Sequence, residues 1–217
     1  MRFQDRQQAG RQLAAKLEEL RATQHWPDPI VLALPRGGVP VAAEVARTLD
    51  APLDVLVARK IGVPGQPEVG IGAIAGEDPP LFDWRALKML GISPDELTSD
   101  VARERVELHR RESLYRHGRP APVLHDRTVI LVDDGLATGV TARAALRLIR
   151  AEHPAALVLA VPVCAARTAE DLGRDTDQVV CLQPHRDLQA VGVWYDDFHQ
   201  VTDREVIDIL EHEHAAG

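Results

Sequence analysis

Asp133 and Asp134 stand side by side between an apolar run, Val129-Ile-Leu-Val132, and a loop, Gly135-Leu-Ala-Thr-Gly-Val-Thr141. Neighbouring carboxylates repel each other and gain little structurally, so their place is opposite hydroxyls or a cation. The segment Ala137, Thr138, Gly139, Val140, Thr141, leading into a helix, offers successive backbone N–H groups, two hydroxyls and the positive end of the helix dipole. Those groups suit a phosphate monoester. Gly139 permits positive φ or close approach of an oxyanion. Alone, such a loop also reads as a tight strand-to-helix turn. With the acids beside it, the set describes a ribose 5-phosphate cradle: Asp133 and Asp134 accept from vicinal hydroxyls, and the loop takes the 5′-phosphate. The plainer alternative is that one acid caps the helix while the other faces water.

The surrounding pattern must bring these residues to one edge. Leu13, Leu17 and Leu20 carry helical spacing. A strand over 30–34, a turn Pro35-Arg-Gly-Gly38, a helix over 39–49 and a strand over 53–57 then form a βαβ unit. Residues 58–80, rich in Gly and Pro, read as a flexible loop passing into a hairpin around 69–75. Ser93-Pro-Asp-Glu96 reads as a capped start for a charged helical insertion over about 93–117. Its basic run, Arg103 to Arg116, alternates with Glu104, Glu107 and Glu112, the pattern of a solvated helix face rather than an anion site. After the strand 129–132 follow a helix over 140–151, a strand over 157–161, a short helix near Ala169, a strand over 179–182 and a helix over 203–210. Strand–helix alternation predicts an α/β, doubly wound, mostly parallel sheet with helices on both faces, in a single domain over 1–217. Ligands of such sheets bind at the carboxyl ends of the strands, where both the Pro35–Gly38 turn and the acid pair fall.

Composition narrows the partners. The 217 residues carry a formal charge of -8, which disfavours nonspecific nucleic-acid or membrane-surface binding, so an anionic ligand needs a local site. The opening MRFQDRQQAG has no apolar signal core and no run reaches a membrane-spanning length, which makes a cytoplasmic protein without a membrane partner the expectation. Cys164 and Cys181 lack metal-ligand spacing and read as buried reduced thiols. His185, His199, His212 and His214 lack the helix-spaced partners of a metal site.

The run VILVDDGLATGVT closely resembles the phosphoribosyl pyrophosphate (PRPP) signature of the type I phosphoribosyltransferases, with apolar run, acid pair and A-T-G-x-T loop in register. Leu34-Pro-Arg-Gly-Gly38 resembles that family's pyrophosphate loop, and Val55-Leu-Val-Ala-Arg-Lys-Ile-Gly-Val-Pro64 the start of its flexible loop in adenine-type members. The resemblance implies the family's fold, with a C-terminal hood here over about 184–217, and displacement of pyrophosphate from PRPP by a nitrogen base or small amine with Mg²⁺. It places Arg36, Gly37 and Gly38 as fixed donors to the leaving group, and Arg59 and Lys60 as donors that arrive on loop closure. Arg36, Arg59, Lys60 and Asp134 are then the catalytic set, and the peptide Pro35–Arg36 is expected to be cis. Asp133 and Asp134 would reach Mg²⁺ mostly through substrate or water.

The acceptor end is less well marked. Ala137 stands where hypoxanthine-guanine members carry an aspartate, which disfavours their route for a 6-oxopurine. Val191-Gly-Val-Trp-Tyr-Asp196 resembles their base-binding segment faintly, with Asp196 near an acid that helps hold metal, while Gln189 replaces the stacking aromatic. Trp194 and Tyr195 read either as a wall of the acceptor pocket or as core, and Glu68 either as an acceptor contact or as loop surface. A rival reading is a PRPP or nucleotide sensor that retains the cradle without turnover. Intact Arg36, Arg59 and Lys60 favour the enzyme, because a sensor need not stabilise a leaving group. An aspartyl phosphotransferase is weaker, since its acids are spaced D-x-D. A homodimer is compatible with the sequence.

Overall fold

Strands that are apolar on both faces need cover on both, and this sequence supplies helices for each. The computed structural model describes residues 2–216, except for the side chains of Glu68 and Ala216. Its main sheet runs in the order β2 (Leu53–Val55), β1 (Ile30–Ala33), β6 (Thr128–Val132), β7 (Ala156–Ala165), β8 (Gln178–His185). All four pairings are parallel. Both β1 and β6 are buried throughout, as expected for central strands of a covered parallel sheet.

Side-chain alternation divides each strand between two cores. Val31, Ala33, Ile130 and Val132 pack with α1 (Arg6–Arg21), α2 (Gly38–Leu49) and α7 (Asp203–Ala216). Ile30, Leu32, Val129 and Leu131 pack on the other face with α5 (Val140–Ala151) and α6 (Ala166–Leu172). In α5 the buried Ala142, Ala145, Leu146 and Ile149 recur at i, i+3, i+4 and i+7, which lays one stripe on the sheet. The architecture is thus the expected α/β sheet with helices on both faces. No helix among the described residues is long and apolar enough to cross a membrane.

The insertion differs in detail from the sequence reading. The segment expected as a loop is a strand from its start: β3 (Ala58–Val63) and β4 (Gln66–Ala75) form an antiparallel hairpin, with Gly65 in the left-handed region at the turn. β5 (Leu81–Phe82) completes a second sheet of three strands. Gly and Pro suggested a loop here because they mark the hairpin's bulge and turn. A short helix, α3 (Trp84–Leu90), was not expected; Asp83 caps it by accepting from the backbone of Arg85 and Ala86. The charged helix opens as a 3-10 turn over Pro94–Leu97 and continues as α4 (Thr98–Arg116). α4 lies across the carboxyl edge of the sheet. It is tied to β2 through Arg116 and the Val55 carbonyl (2.9 Å), and to α7 through the Tyr115 hydroxyl, which donates to Asp203 (2.6 Å).

Candidate active site

The two loops singled out by sequence lie against each other. Leu34 N–H donates to the Val132 carbonyl (2.9 Å), fixing the end of β1 beside the acids at the end of β6. The peptide Pro35–Arg36 is cis. A Cβ on Gly37 would collide with the Asp134 carboxylate, and one on Gly38 would lie 2.8 Å from the Val132 carbonyl oxygen. Glycine is therefore required here by close approach of the two loops rather than by backbone freedom.

The phosphate-type loop is stapled to the neighbouring strand. Leu136 N–H donates to Val163 O (2.9 Å), Ala165 N–H donates to Leu136 O (2.8 Å), and the Thr168 hydroxyl donates to Ala137 O (2.6 Å). Gly139 has φ 69° and forms the N-cap of α5 with no side chain capping it. Among the described residues no side chain caps the first-turn amides of this 12-residue helix, with Thr138 exposed and Thr141 half-buried beside them. Lys60 is close to this end: a Cβ on Gly70 would meet both the Lys60 stem and Val140.

Asp133 and Asp134 share a poorly hydrated position. Burial pushes the Asp133 carboxyl well above its usual range, and the charge of Asp134 pushes it further. Burial also raises Asp134, but Arg6 opposes the shift. Arg6 Nε lies 2.9 Å from Asp134 Oδ2, with side-chain exposures of 8% and 14%, and Arg6 Nη1 donates to the His199 carbonyl (2.8 Å). The guanidinium also covers the Phe198 ring at 3.9 Å. The sequence reading did not select Arg6. It sits in an undistinguished polar segment, and its partner is 128 positions away.

Over these residues opens a cleft of about 420 Å³, lined by Arg6, Arg36, Gly37, Arg59, Arg111 and Asp134 together with hood residues 198–201. Arg36 faces Asp203 at 3.6 Å, and Arg59 pairs with Glu104 at 2.7 Å. A neighbouring cavity of about 500 Å³, between the β3–β4 hairpin and α4, shares Arg59 and adds Lys60 and Arg103. Arg36, Gly37, Arg59 and Asp134 are thus gathered at one opening, with Gly38, Asp133 and the Gly135–Thr141 loop directly behind or beside it. Arg111 departs from the solvated face expected for its helix.

The hood residues fall differently. Tyr195 is 1% exposed, packs with Phe3, and donates through its hydroxyl to the Asp134 carbonyl (2.6 Å). It is core and a backstop to the acids rather than a wall of an acceptor pocket. Trp194 stacks on His185 with 3.5 Å between ring centroids, and both Trp194 Nε1 and His185 Nε2 are buried without a hydrogen-bond partner among the described residues. Asp196 does not join the acid pair: it is 63% exposed and bridges Arg2 at 3.1 Å. The side chain of Glu68 lies outside the described residues. Among the described residues no three His, Cys, Asp or Glu side chains are grouped to hold a metal. Cys164 and Cys181 are free thiols.

The fold is thus a parallel sheet whose strand ends carry an acid pair, a glycine-rich strand-to-helix loop and an arginine-lined cleft, at the edge where α/β sheets take their ligands. The phosphoribosyl transferase domain family matches residues 2–197, and the chain belongs to that family. A Mycobacterium tuberculosis protein provisionally named a phosphoribosyl transferase is 41% identical over 212 residues, 98% of this chain and 47% of its own length. The chain thus spans about half the length of the curated relatives it matches. A crystal structure of a Thermus thermophilus protein superposes with a TM-score of 0.79 at 42% identity, covering 98% of this chain and 99% of that one.

Proposed function

We propose that this domain binds PRPP and transfers its phosphoribosyl group to a nitrogen nucleophile, a base or a small amine, releasing pyrophosphate. The observation that carries the reading is the direct apposition of Gly37 and Asp134 beneath the arginine-lined cleft, next to the uncapped start of α5. In this reading the α5 amides, Thr138 and Thr141 hold the 5′-phosphate. Asp133 and Asp134 accept from the ribose hydroxyls, with Arg6 engaging Asp134 Oδ2 and setting the carboxylate's orientation. The sugar then lies with C1 toward Arg36 and the Gly37 and Gly38 backbone.

In the reaction the C1–O bond breaks with its electron pair leaving on pyrophosphate. The nitrogen lone pair forms the new C1–N bond, and the proton on nitrogen passes to solvent. Negative charge grows on the departing oxygen, so cations fixed beforehand on that side lower the barrier. Arg36, Arg59 and Lys60 meet that need, and their effect strengthens once water is excluded. The two carboxylates are hard oxygen donors that suit Mg²⁺, but Arg6 already holds one oxygen of Asp134, so Asp133 and Asp134 would hold the ion through water or substrate oxygens. When bound, Mg²⁺ supplies charge neutralisation on the leaving group.

The test is calorimetric titration of PRPP with Mg²⁺, followed by pyrophosphate release across a panel of bases and amines. Asp134→Asn is expected to weaken PRPP at least tenfold, by about 1.4 kcal/mol or more. Failure of the wild-type protein to bind PRPP would overturn the reading. Tight binding with no release for any acceptor would instead identify a sensor.

A further inference from the structure

The inward stripe of α4 is Glu104, Leu108, Arg111 and Tyr115, at i, i+4, i+7 and i+11. Leu108 and Tyr115 are buried and seat the helix in the core. The two charged members sit between them. Glu104 takes Arg59 of the hairpin, and Arg111 enters the cleft with its side chain 16% exposed. The helix's other arginines are differently employed. Arg105 donates to the carbonyls of Gly76 and Asp78, Arg116 to that of Val55, Arg110 is half-exposed against Glu107 and Asp203, and Arg103 is 68% exposed.

Arg111 makes one hydrogen bond among the described residues, from Nε to Glu107 Oε1 at 2.7 Å. Glu107 is held down to about 2, mainly by Arg110 and then by Arg111, so it remains charged and anchors the stem. The forked Nη groups of Arg111 have no such partner and share the opening with Arg6, Arg36 and Arg59. Asp134 is the one carboxylate among the residues lining the cleft, while Arg36, Arg59 and Arg111 are balanced by Asp203, Glu104 and Glu107 outside that lining, so a polyvalent anion entering the cleft meets mostly cations. Arg6 is committed to Asp134 and His199, so Arg36, Arg59 and Arg111 remain to face that anion.

We infer that Arg111 is a further pyrophosphate-binding residue, supplied from the inserted helix rather than from the sheet-edge loops. The inference rests on the PRPP reading above and adds the residue that completes its leaving-group side. With Glu104 holding Arg59 of β3, α4 supplies one guanidinium to the diphosphate and positions a second, in the cleft that Arg36 and Gly37 also line. A forked guanidinium suits adjacent phosphoryl oxygens, and charge-assisted bonds are the stronger kind.

The experiment titrates PRPP, inorganic pyrophosphate and ribose 5-phosphate, each with Mg²⁺, into wild type, Arg111→Ala and, as a charge control on the exposed face of α1, Lys16→Ala. Arg111→Ala is expected to weaken PRPP and pyrophosphate about 10- to 100-fold, equivalent to about 1.4–2.8 kcal/mol. Ribose 5-phosphate, which lacks the diphosphate, should bind unchanged, and Lys16→Ala should behave as wild type. If Arg111→Ala does not fold, Arg111→Lys carries the test, with at least a threefold loss because lysine is a point charge without the fork. Unchanged pyrophosphate affinity in the Arg111 variants, or an equal loss for ribose 5-phosphate, would overturn the assignment. A wild type that binds pyrophosphate but not PRPP, with the same loss in Arg111→Ala, would sustain Arg111 and defeat the substrate reading instead. Binding of neither would defeat both.

Discussion

Replacing Arg6 by Met keeps most of the side chain's volume and removes the cation opposite a buried acid pair. Removing one partner of a buried ion pair typically costs about 3–5 kcal/mol, because the other charge is left without compensation. An upper bound follows from protonation. At pH 7.5 a carboxyl whose ordinary value is 3.8 can escape by taking a proton, at a cost of about 1.36 kcal/mol for each of some 3.7 pH units, or about 5 kcal/mol. At pH 5.5 the same bound is about 2.3 kcal/mol. Without Arg6 the folded-state value of Asp134 rises further, so the folded variant binds more protons than its unfolded chain. Its deficit therefore appears above the ordinary carboxylate value, grows as pH rises, and shrinks as pH falls. Loss of the bond to His199 and of the contact with Phe198 adds about 1–2 kcal/mol that does not depend on pH. For a domain of this size each kcal/mol is about 2–4 °C in Tm, so Arg6→Met should melt at least about 6 °C lower at pH 7.5 and recover much of that by pH 5.5. Asp134→Asn should be milder, since it relieves repulsion on Asp133 while stranding Arg6. Thermal denaturation by circular dichroism, without ligand at both pH values, decides the matter. A deficit that is the same at both, or a larger loss in Asp134→Asn, would refute the electrostatic account.

Two further outcomes are expected. Gly37→Ala places a methyl group against the Asp134 carboxylate and should reduce PRPP affinity more than tenfold, read by calorimetry; full affinity would show that the loops need not touch. Asp133 has its folded-state value raised by burial and then by Asp134, so wild-type stability falls as pH climbs from about 3.8 toward that raised value. Asp133→Asn should therefore be more stable than wild type near neutrality, by about 1 kcal/mol or more in denaturant titration, while losing PRPP binding; a destabilised variant would contradict this.

The sheet was legible because its strands are short, apolar on both faces and separated by helices of 3.6 periodicity. The sheet-edge residues followed, since each immediately succeeds a strand. The hairpin was misread as a loop because Gly62, Pro64 and Gly65, the residues that bend it, are those that elsewhere break strands. Arg6 gave no local signal at all. Arg111 gave a misleading one: its neighbours Glu104, Glu107 and Arg110 follow the spacing of a solvated helix, and only docking through Leu108 and Tyr115 turns that stripe inward. The hood was ambiguous for a related reason. Trp194 and Tyr195 adjoin in sequence, yet one stacks on His185 while the other seals the acids from behind.

Phe3 pairs with Tyr195 in a parallel bridge, Arg2 meets Asp196, and Arg6 reaches His199 across 193 positions. Closing so long a loop carries an entropy cost that is met before its contacts form. On the ribosome the acids at the end of β6 must therefore wait with half their surroundings missing until the hood has emerged. The sugar-phosphate site proposed above would then be the last feature this domain completes, and interrupted translation products would carry the signature loop without the hood that backs it.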